Sequence, residues 1–184
     1  VQVWDLMIGT RPPCTLAAHV GRVLAVGVVE LDGRPHAITG GEDGSLRVWT
    51  TGRQPRAFAA HVGGVRAVGV VELDGRPHAI TGGDDGSVRV WDLTTGTQPR
   101  AFAAHVGGVR AVGVVELDGR PHAITGGNDG SVRVWDLTTG TCRTTFYCPA
   151  RVSALTVTAD AMVIVGFGHE VAALSLAPLK GRLS

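Results

Sequence analysis

The stretch QPRAFAAHVGGVRAVGVVELDGRPHAITGGDDGSVRVWDLTTGT, from Gln54 to Thr97, decides the fold of this chain. Its 44 residues recur from Gln98 to Thr141 with a single change, Asp84 to Asn128. A fixed period of this length is typical of an array in which one supersecondary unit is repeated and packs on its neighbours. We therefore expect both the fold and the function to depend on how the copies assemble.

Within each copy, short valine-rich runs alternate with glycine-containing turns. Val65–Val71 is followed by Asp74-Gly75, a pair that is typical of tight hairpin turns. Further strands are predicted at Pro77–Thr81, Val88–Trp91 and Gln98–Phe102. Because turn signals arrive roughly every six to ten residues, an amphipathic helix has no room to form. Each copy therefore predicts four short antiparallel strands, and the chain predicts an all-β fold.

A four-stranded sheet of this kind has two faces to bury. Radial stacking of copies covers both faces and leaves short edges, which is the β-propeller arrangement; a flat solenoid would also cover them. On the propeller interpretation the chain contains about four blades. We expect a partial blade at 1–17, blades at 18–60, 61–104 and 105–147, and a degenerate three-stranded C-terminal blade at 148–184.

Composition excludes several function classes. The formal net charge is +1 without a polybasic block, so bulk charge supports neither nucleic-acid nor membrane binding. The three cysteines, Cys14, Cys142 and Cys148, match neither a disulfide framework nor a paired zinc motif. No apolar run reaches membrane-spanning length, and the first residues do not resemble a signal peptide. We expect a cytoplasmic protein without a metal or another cofactor.

Four residue types recur at matching positions in three copies. The sets are His19, Thr39, Asp43 and Trp49; His61, Thr81, Asp85 and Trp91; and His105, Thr125, Asp129 and Trp135. With this pattern the chain resembles the WD40-repeat family over nearly all of its length. The resemblance implies a structural tetrad in each blade, in which Trp donates to Thr and His bridges Thr to Asp. A catalytic triad would use the same residue types, but repetition in every blade favours the structural interpretation.

The chain departs from the family pattern at its ends. Thr50 stands where the family has Asp, and Cys148, Val165 and Leu174 stand where it has His, Thr and Trp. We therefore expect apolar packing to hold the last blade. The resemblance implies a ring of about seven blades, so the chain is expected to be the C-terminal part of a longer propeller. Closure of a four-bladed ring by a strand near Thr15–Ala17 is the alternative.

Partners of this family bind mostly on the face that holds the His loops and the Asp turns. The candidate partner-binding rim on that face consists of Arg22, Glu42, Arg66, Asp84, Arg110, Asn128 and Arg151. Alternating carboxylates and arginines suit a polar, charged protein or peptide ligand, and a merely solvated rim is the alternative. Histidines 36, 78 and 122 recur at blade spacing, which separates them and argues against a shared metal site.

Together these features predict a non-catalytic scaffold or sensor propeller for protein–protein interaction, at the C-terminal end of a larger bacterial signalling protein. Its expected partners are a protein or peptide on the rim face, and missing upstream blades or a second copy at the open blade edges. A propeller enzyme or carbohydrate-binding propeller with a site in the central channel is one alternative. A recently amplified or engineered repeat without an evolved partner is another, favoured by the near-identity of the two central copies.

Overall fold

The computed structural model describes residues 19–50, 54–98 and 100–176. In this part of the chain every regular element is a strand, and the strands pair antiparallel in four sheets, which we call blades 1 to 4. Blade 1 contains β1 (Val23–Leu31), β2 (Arg34–Gly41), β3 (Ser45–Trp49) and β4 (Arg56–Ala59). Blade 2 contains β5 (Val65–Leu73), β6 (Arg76–Gly83), β7 (Ser87–Asp92) and β8 (Arg100–Ala103).

The other two blades continue the series. Blade 3 contains β9 (Val109–Leu117), β10 (Arg120–Gly127), β11 (Ser131–Asp136) and β12 (Cys142–Tyr147). Blade 4 has three strands among the described residues: β13 (Val152–Val157), β14 (Met162–Phe167) and β15 (Glu170–Ser175). The expected all-β class with antiparallel blades is confirmed.

The first hairpin of each of the first three blades closes through a two-residue Asp-Gly loop. In blade 2, Leu73 pairs with Arg76, and both loop residues have positive φ, 51° at Asp74 and 71° at Gly75. Two central residues with positive φ define the turn whose twist matches that of the flanking strands. The turn predicted from Asp74-Gly75 is therefore confirmed.

The second strand is longer than the sequence predicts, running from Arg76 to Gly83 instead of from Pro77 to Thr81. Glycines usually weaken a strand, but here they allow close packing. A Cβ atom at Gly82 would lie 2.5 Å from Val109 of blade 3, and one at Gly83 would lie 2.3 Å from the His61 ring. The neighbouring residues leave no space for a side chain at these two positions. Glycine is therefore required there, and the strand continues through both residues.

Consecutive blades pack through their inner strands, β1 on β5, β5 on β9, and β9 on β13. Three apolar clusters form the core, and each contains residues of two neighbouring blades. At the blade 2–blade 3 junction, Gly69 faces Val112 and Val114, where an added Cβ would lie 3.2 and 3.0 Å from their methyl groups. The blades thus form an array in which each unit depends on its neighbours.

The described blades form an open arc. Val26 and Val28 on the outer face of blade 1 are 66% and 69% exposed, whereas the equivalent Val68 and Val70 of blade 2 are half-buried against Gly27. The partial blade predicted at 1–17 and the alternative closing strand near Thr15–Ala17 lie outside the described residues, as does the tail from 177 to 184.

The described residues contain no helix that is both long enough and apolar enough to span a membrane.

Candidate functional site

Each complete blade contains a chain of buried hydrogen bonds. In blade 2, Trp91 Nε1 donates to Thr81 Oγ1 at 3.1 Å, and Thr81 Oγ1 lies 2.8 Å from His61 Nε2. His61 Nδ1 lies 2.9 Å from Asp85 Oδ1. Because the indole can only donate and the carboxylate can only accept, the threonine hydroxyl donates to Nε2 and the His Nδ1–H donates to Asp85.

The same chain recurs in the neighbouring blades. The distances in blade 1 are 2.7 Å for Trp49–Thr39, 2.7 Å for Thr39–His19 and 2.9 Å for His19–Asp43. In blade 3 they are 3.0 Å for Trp135–Thr125, 2.7 Å for Thr125–His105 and 2.9 Å for His105–Asp129. The structure thus brings together every member of the three sets that the sequence singles out.

The protonation of the tetrads is fixed by their surroundings. Burial lowers the pKa of His61 and of His105 and outweighs the opposing effect of their aspartates, so both rings are neutral. Burial by itself raises the pKa of Asp85, but hydrogen bonds from Ser87 and His61 outweigh it and lower that pKa to about 2. The pKa values of Asp43 and Asp129 are lowered by similar bonds. In blades 2 and 3, a neutral histidine beside an ionised aspartate suits a structural network.

A serine and an arginine that the family pattern did not single out also join the network. Ser87 Oγ donates to Asp85 Oδ1 at 2.7 Å, and Arg89 donates to Asp85 Oδ2 at 3.3 Å and to Ser87 Oγ at 3.3 Å. The corresponding residues of blade 1 are Ser45 and Arg47, and those of blade 3 are Ser131 and Arg133. The recurring Asp-Gly-Ser-x-Arg pattern is the signal that identifies this extension.

The tetrad aspartate also fixes the loop that carries the rim. Asp85 Oδ2 accepts a hydrogen bond from the backbone N–H of Val62 at 3.1 Å, which ties the His loop to the Asp turn. The Val62 side chain is 80% exposed on this loop, and Val20 and Val106 are 80% and 78% exposed at the same position of blades 1 and 3. The rim face therefore presents apolar side chains beside its charges.

The rim charges pair within each blade. Arg22 donates to Glu42 through Nε at 3.4 Å and Nη2 at 3.1 Å. Arg66 donates to Asp84 through Nε at 2.8 Å and Nη2 at 2.9 Å, and this hydrogen bonding lowers the pKa of Asp84. In blade 3, Arg110 Nε donates to the amide oxygen of Asn128 at 2.8 Å.

The strand registers show that the rim arginines occupy two kinds of position. Val23, Val65, Val109 and Val152 are equivalent, because each pairs with the last residue of its second strand. Arg22 and Arg151 precede this valine, whereas Arg66 and Arg110 follow it. The four arginines, expected to form one series, therefore fall into two: Arg151 matches Arg22, whereas Arg66 and Arg110 match each other.

Nothing in the described ranges assembles a metal site, since no group of three or more His, Cys, Asp or Glu side chains is placed to hold an ion there. The second histidine series is bound locally. Nδ1 of His36, His78 and His122 each donates at 2.9 Å to the backbone carbonyl of the arginine two residues earlier.

A groove of about 890 Å³ lies between blades 2 and 3 at the end opposite the rim. It is lined by the Asp74-Gly75 turn, by Arg100 and by residues 119–121 and 137–139. Arg100 Nη1 is bonded to the backbone carbonyl of Leu137 at the blade junction. The groove is therefore a gap between repeated hairpins, crossed by an arginine that joins two blades.

The open arc of antiparallel blades with one His–Thr–Trp–Asp network in each complete blade defines a propeller-type repeat protein. A family model described as WD domain, G-beta repeat matches residues 10–50, 52–92 and 96–136, and the chain belongs to the WD40 family. Each matched segment ends with the third strand of a blade, and 52–92 contains the outer strand β4 of blade 1 together with β5 to β7 of blade 2. One sequence repeat therefore links two blades.

Solved structures show the same fold at low sequence identity. The chain is similar to the crystal structure of the computationally designed Ika4 protein, with a TM-score of 0.74 and 23% identity over 89% of this chain and 96% of that one. It is also similar to the crystal structure of the WD40 beta propeller domain of Doa1, with a TM-score of 0.72 and 22% identity over 86% of this chain. This chain spans 52% of that Doa1 chain. No significant match is found among curated protein sequences.

Proposed function

We propose that this chain is a non-catalytic scaffold that binds a protein or peptide on its rim. WD40 propellers generally mediate protein interactions and are generally not enzymes. The observation that carries the proposal is where the blades differ. Between 19–49 of blade 1 and 61–91 of blade 2 only four positions differ, and three of them (Arg22/Gly64, Leu24/Arg66 and Glu42/Asp84) lie on the rim.

The fourth difference, Leu46 against Val88, is buried in the core. Between blades 2 and 3 the corresponding stretches differ only at the rim position Asp84/Asn128. The hairpins at the opposite end are identical in all three blades. Within these stretches the blades differ in charge only on the rim, which is the kind of variation expected of a recognition surface; outside them, Thr50 of blade 1 replaces Asp92 and Asp136 at the opposite end.

The chemistry of the rim fits a protein partner. Exposed valines at positions 20, 62 and 106 stand beside arginines and carboxylates, and this mixture of apolar contacts and charges is typical of protein–protein interfaces. A cytoplasmic, C-terminal position in a larger bacterial signalling protein, with further blades upstream or a second copy at the open blade edges, is part of the same proposal. It is supported by the composition, the absence of a cysteine framework and the open arc.

Two rival functions remain distinct from this proposal. A catalytic or carbohydrate-binding propeller would place its site in the central channel. A recently amplified or engineered repeat would have no evolved partner, and the near-identity of the two central copies favours that rival over the first.

Peptide-display selection on the folded chain tests the scaffold proposal. We expect enriched peptides whose binding is lost when the rim residues Arg66 and Asp84 are both changed to serine. The matched control is Arg34→Ser, which removes an exposed charge from the opposite end and should leave binding intact. Enrichment of peptides that need the opposite end, or binding that only simple sugars displace, would refute the rim as the partner surface.

A further inference from the structure

The junction between blades 3 and 4 breaks the charge pattern of the rim. In blade 2 the Asp84 carboxylate is fully engaged, since it accepts Nε and Nη2 of Arg66 at 2.8 and 2.9 Å and the Gly64 N–H at 3.0 Å. This cradle binds a carboxylate with two parallel guanidinium bonds and one backbone bond, which is a strong and directional arrangement. Blade 2 thus shows which ligand the position accepts.

In blade 3 the same cradle lacks its carboxylate. The single oxygen of Asn128 accepts Nε of Arg110 at 2.8 Å, and the amide nitrogen is turned to donate to the backbone carbonyl of Gly107. An amide offers one acceptor oxygen where a carboxylate offers two. The Nη2 group of Arg110 therefore has no second oxygen to bind on Asn128.

A second arginine lies at the same junction. Gly64 in blade 2 and Gly108 in blade 3 are equivalent to Arg151 in blade 4. A Cβ atom on Gly64 would lie 3.5 Å from the Cα of Glu42 in blade 1, and one on Gly108 would lie 3.5 Å from the Cα of Asp84 in blade 2. By this equivalence the backbone of Arg151 adjoins Asn128, and its side chain is exposed. In blade 4 the position of Asp84 is held by Gly168, and the exposed carboxylate of this turn, Glu170, follows two residues later.

Ion pairs between a rim arginine and a carboxylate of the same blade are found only in blades 1 and 2 among the described residues, and Asp84 also acts electrostatically on Arg110 across the junction. Blades 1 and 2 each pair one arginine with one carboxylate, whereas blades 3 and 4 contribute Arg110 and Arg151 with an amide and a glycine. Tyr147, 79% exposed, ends the outer strand of blade 3 where blades 1 and 2 have Ala59 and Ala103. Exposed aromatic rings are frequent anchors in protein interfaces.

We propose that Arg110, Asn128 and Arg151 form a binding site for a carboxylate of an acidic segment in a protein partner. This inference rests on the proposed function of the rim and specifies the partner's chemistry. The incoming carboxylate binds beside the Asn128 amide, with Arg110 Nη2 and Arg151 as donors. The substitution that separates the two central repeats then has a function, because it leaves the Nη2 group of Arg110 without an internal acceptor on this turn.

A titration of fluorescein-labelled Gly-Glu-Glu-Glu-Glu-Gly into the full chain, followed by anisotropy at low salt, tests the site. Asn128→Asp supplies the internal carboxylate and should weaken binding about tenfold or more, since charge-assisted bonds to the peptide are lost. Arg151→Ser should weaken it severalfold. The peptide with Gln in place of Glu should not bind measurably.

The controls separate the site from bulk charge and from misfolding. Arg34→Ser removes one positive charge at the opposite end and should leave the affinity unchanged. Asn128→Asp reproduces the blade 2 cradle, so its thermal melt should overlay that of the parent chain. Equal affinity of the Asn128→Asp variant, or equal losses from Arg34→Ser and Arg151→Ser, would overturn the proposal. Preferential binding of a phosphoserine version that persists in Asn128→Asp would overturn the assignment to a carboxylate.

The display selection and the titration fail in different ways. If selected peptides need the rim but are not acidic and ignore Asn128→Asp, the scaffold function stands and the carboxylate site is refuted. If selected peptides avoid the rim while the acidic peptide still binds in an Asn128-dependent manner, the site stands and the wider rim proposal is refuted.

Discussion

The residue at the end of the second strand determines whether a blade can hold the tetrad histidine. Gly83 lies so close to the His61 ring that any side chain would overlap it. Blade 4 has Phe167 at this position, which its pairing with Val152 makes equivalent to Gly83, and the Phe167 ring is buried. Cys148 replaces the histidine in this blade, and Val165 and Leu174 replace Thr and Trp. The loss of the histidine is therefore coupled to the gain of an aromatic ring in the same space.

Replacement of Trp91 by Phe tests the tetrad at this scale. The variant keeps an aromatic ring against Phe58, whose centroid lies 5.7 Å from that of Trp91, but removes the donor to Thr81. We expect a loss of about 1–3 kcal/mol in the free energy of unfolding, because a buried acceptor loses its partner. Denaturant unfolding of Trp91→Phe, Thr81→Val and the double variant gives the measurement. Coupled residues should show non-additive losses, and strictly additive or negligible losses would contradict the network.

At the scale of elements, the sequence predicted the strands and turns well where local chemistry decides them. The Asp74-Gly75 turn and the third strand ending at Trp91-Asp92 follow from residue preferences alone. The second strand was predicted too short because Gly82 and Gly83 ordinarily disfavour strands, and only the neighbouring blade and the His61 ring explain them. The two kinds of rim arginine position, by contrast, follow from the aligned repeats, in which Arg22 matches Gly64 and Leu24 matches Arg66.

The packing of blade on blade is tested by a pair of matched glycines. Gly82 of β6 and Gly166 of β14 occupy equivalent positions. A Cβ at Gly82 would meet Val109 at 2.5 Å, whereas one at Gly166 would find, among the described residues, only the Ala154 carbonyl, at 3.8 Å. We expect Gly82→Ala to destabilise by about 1–3 kcal/mol through overpacking, and Gly166→Ala to be neutral or mildly stabilising. Equal melting temperatures for the two variants would show that the junction relaxes freely.

At the scale of the whole molecule, the two ends of the arc are not complementary. At each internal junction a glycine (Gly27, Gly69 or Gly113) faces a pair of apolar side chains of the next blade. Blade 1 exposes such a pair, Val26 and Val28. In blade 4 the exposed Thr156 stands at the position that is equivalent to this glycine. The equivalence follows because Leu155 and Val157, on either side of Thr156, are the pair that faces Gly113. A β-branched side chain at this position prevents the blade 4 face from repeating the internal packing against blade 1 of another copy.

Removal of this obstacle should change the assembly. We expect Thr156→Gly to increase head-to-tail association, so that the mass measured by light scattering rises with concentration more steeply than for the parent chain. Adding Val26→Ser and Val28→Ser to Thr156→Gly should return the mass to the parent value, because the apolar pair that accepts the glycine is removed. Thermal melts of all variants check that the blades remain folded, since glycine costs about 0.5–1 kcal/mol within a strand. A mass that does not respond to Thr156→Gly would show that the open faces require a partner other than a second copy.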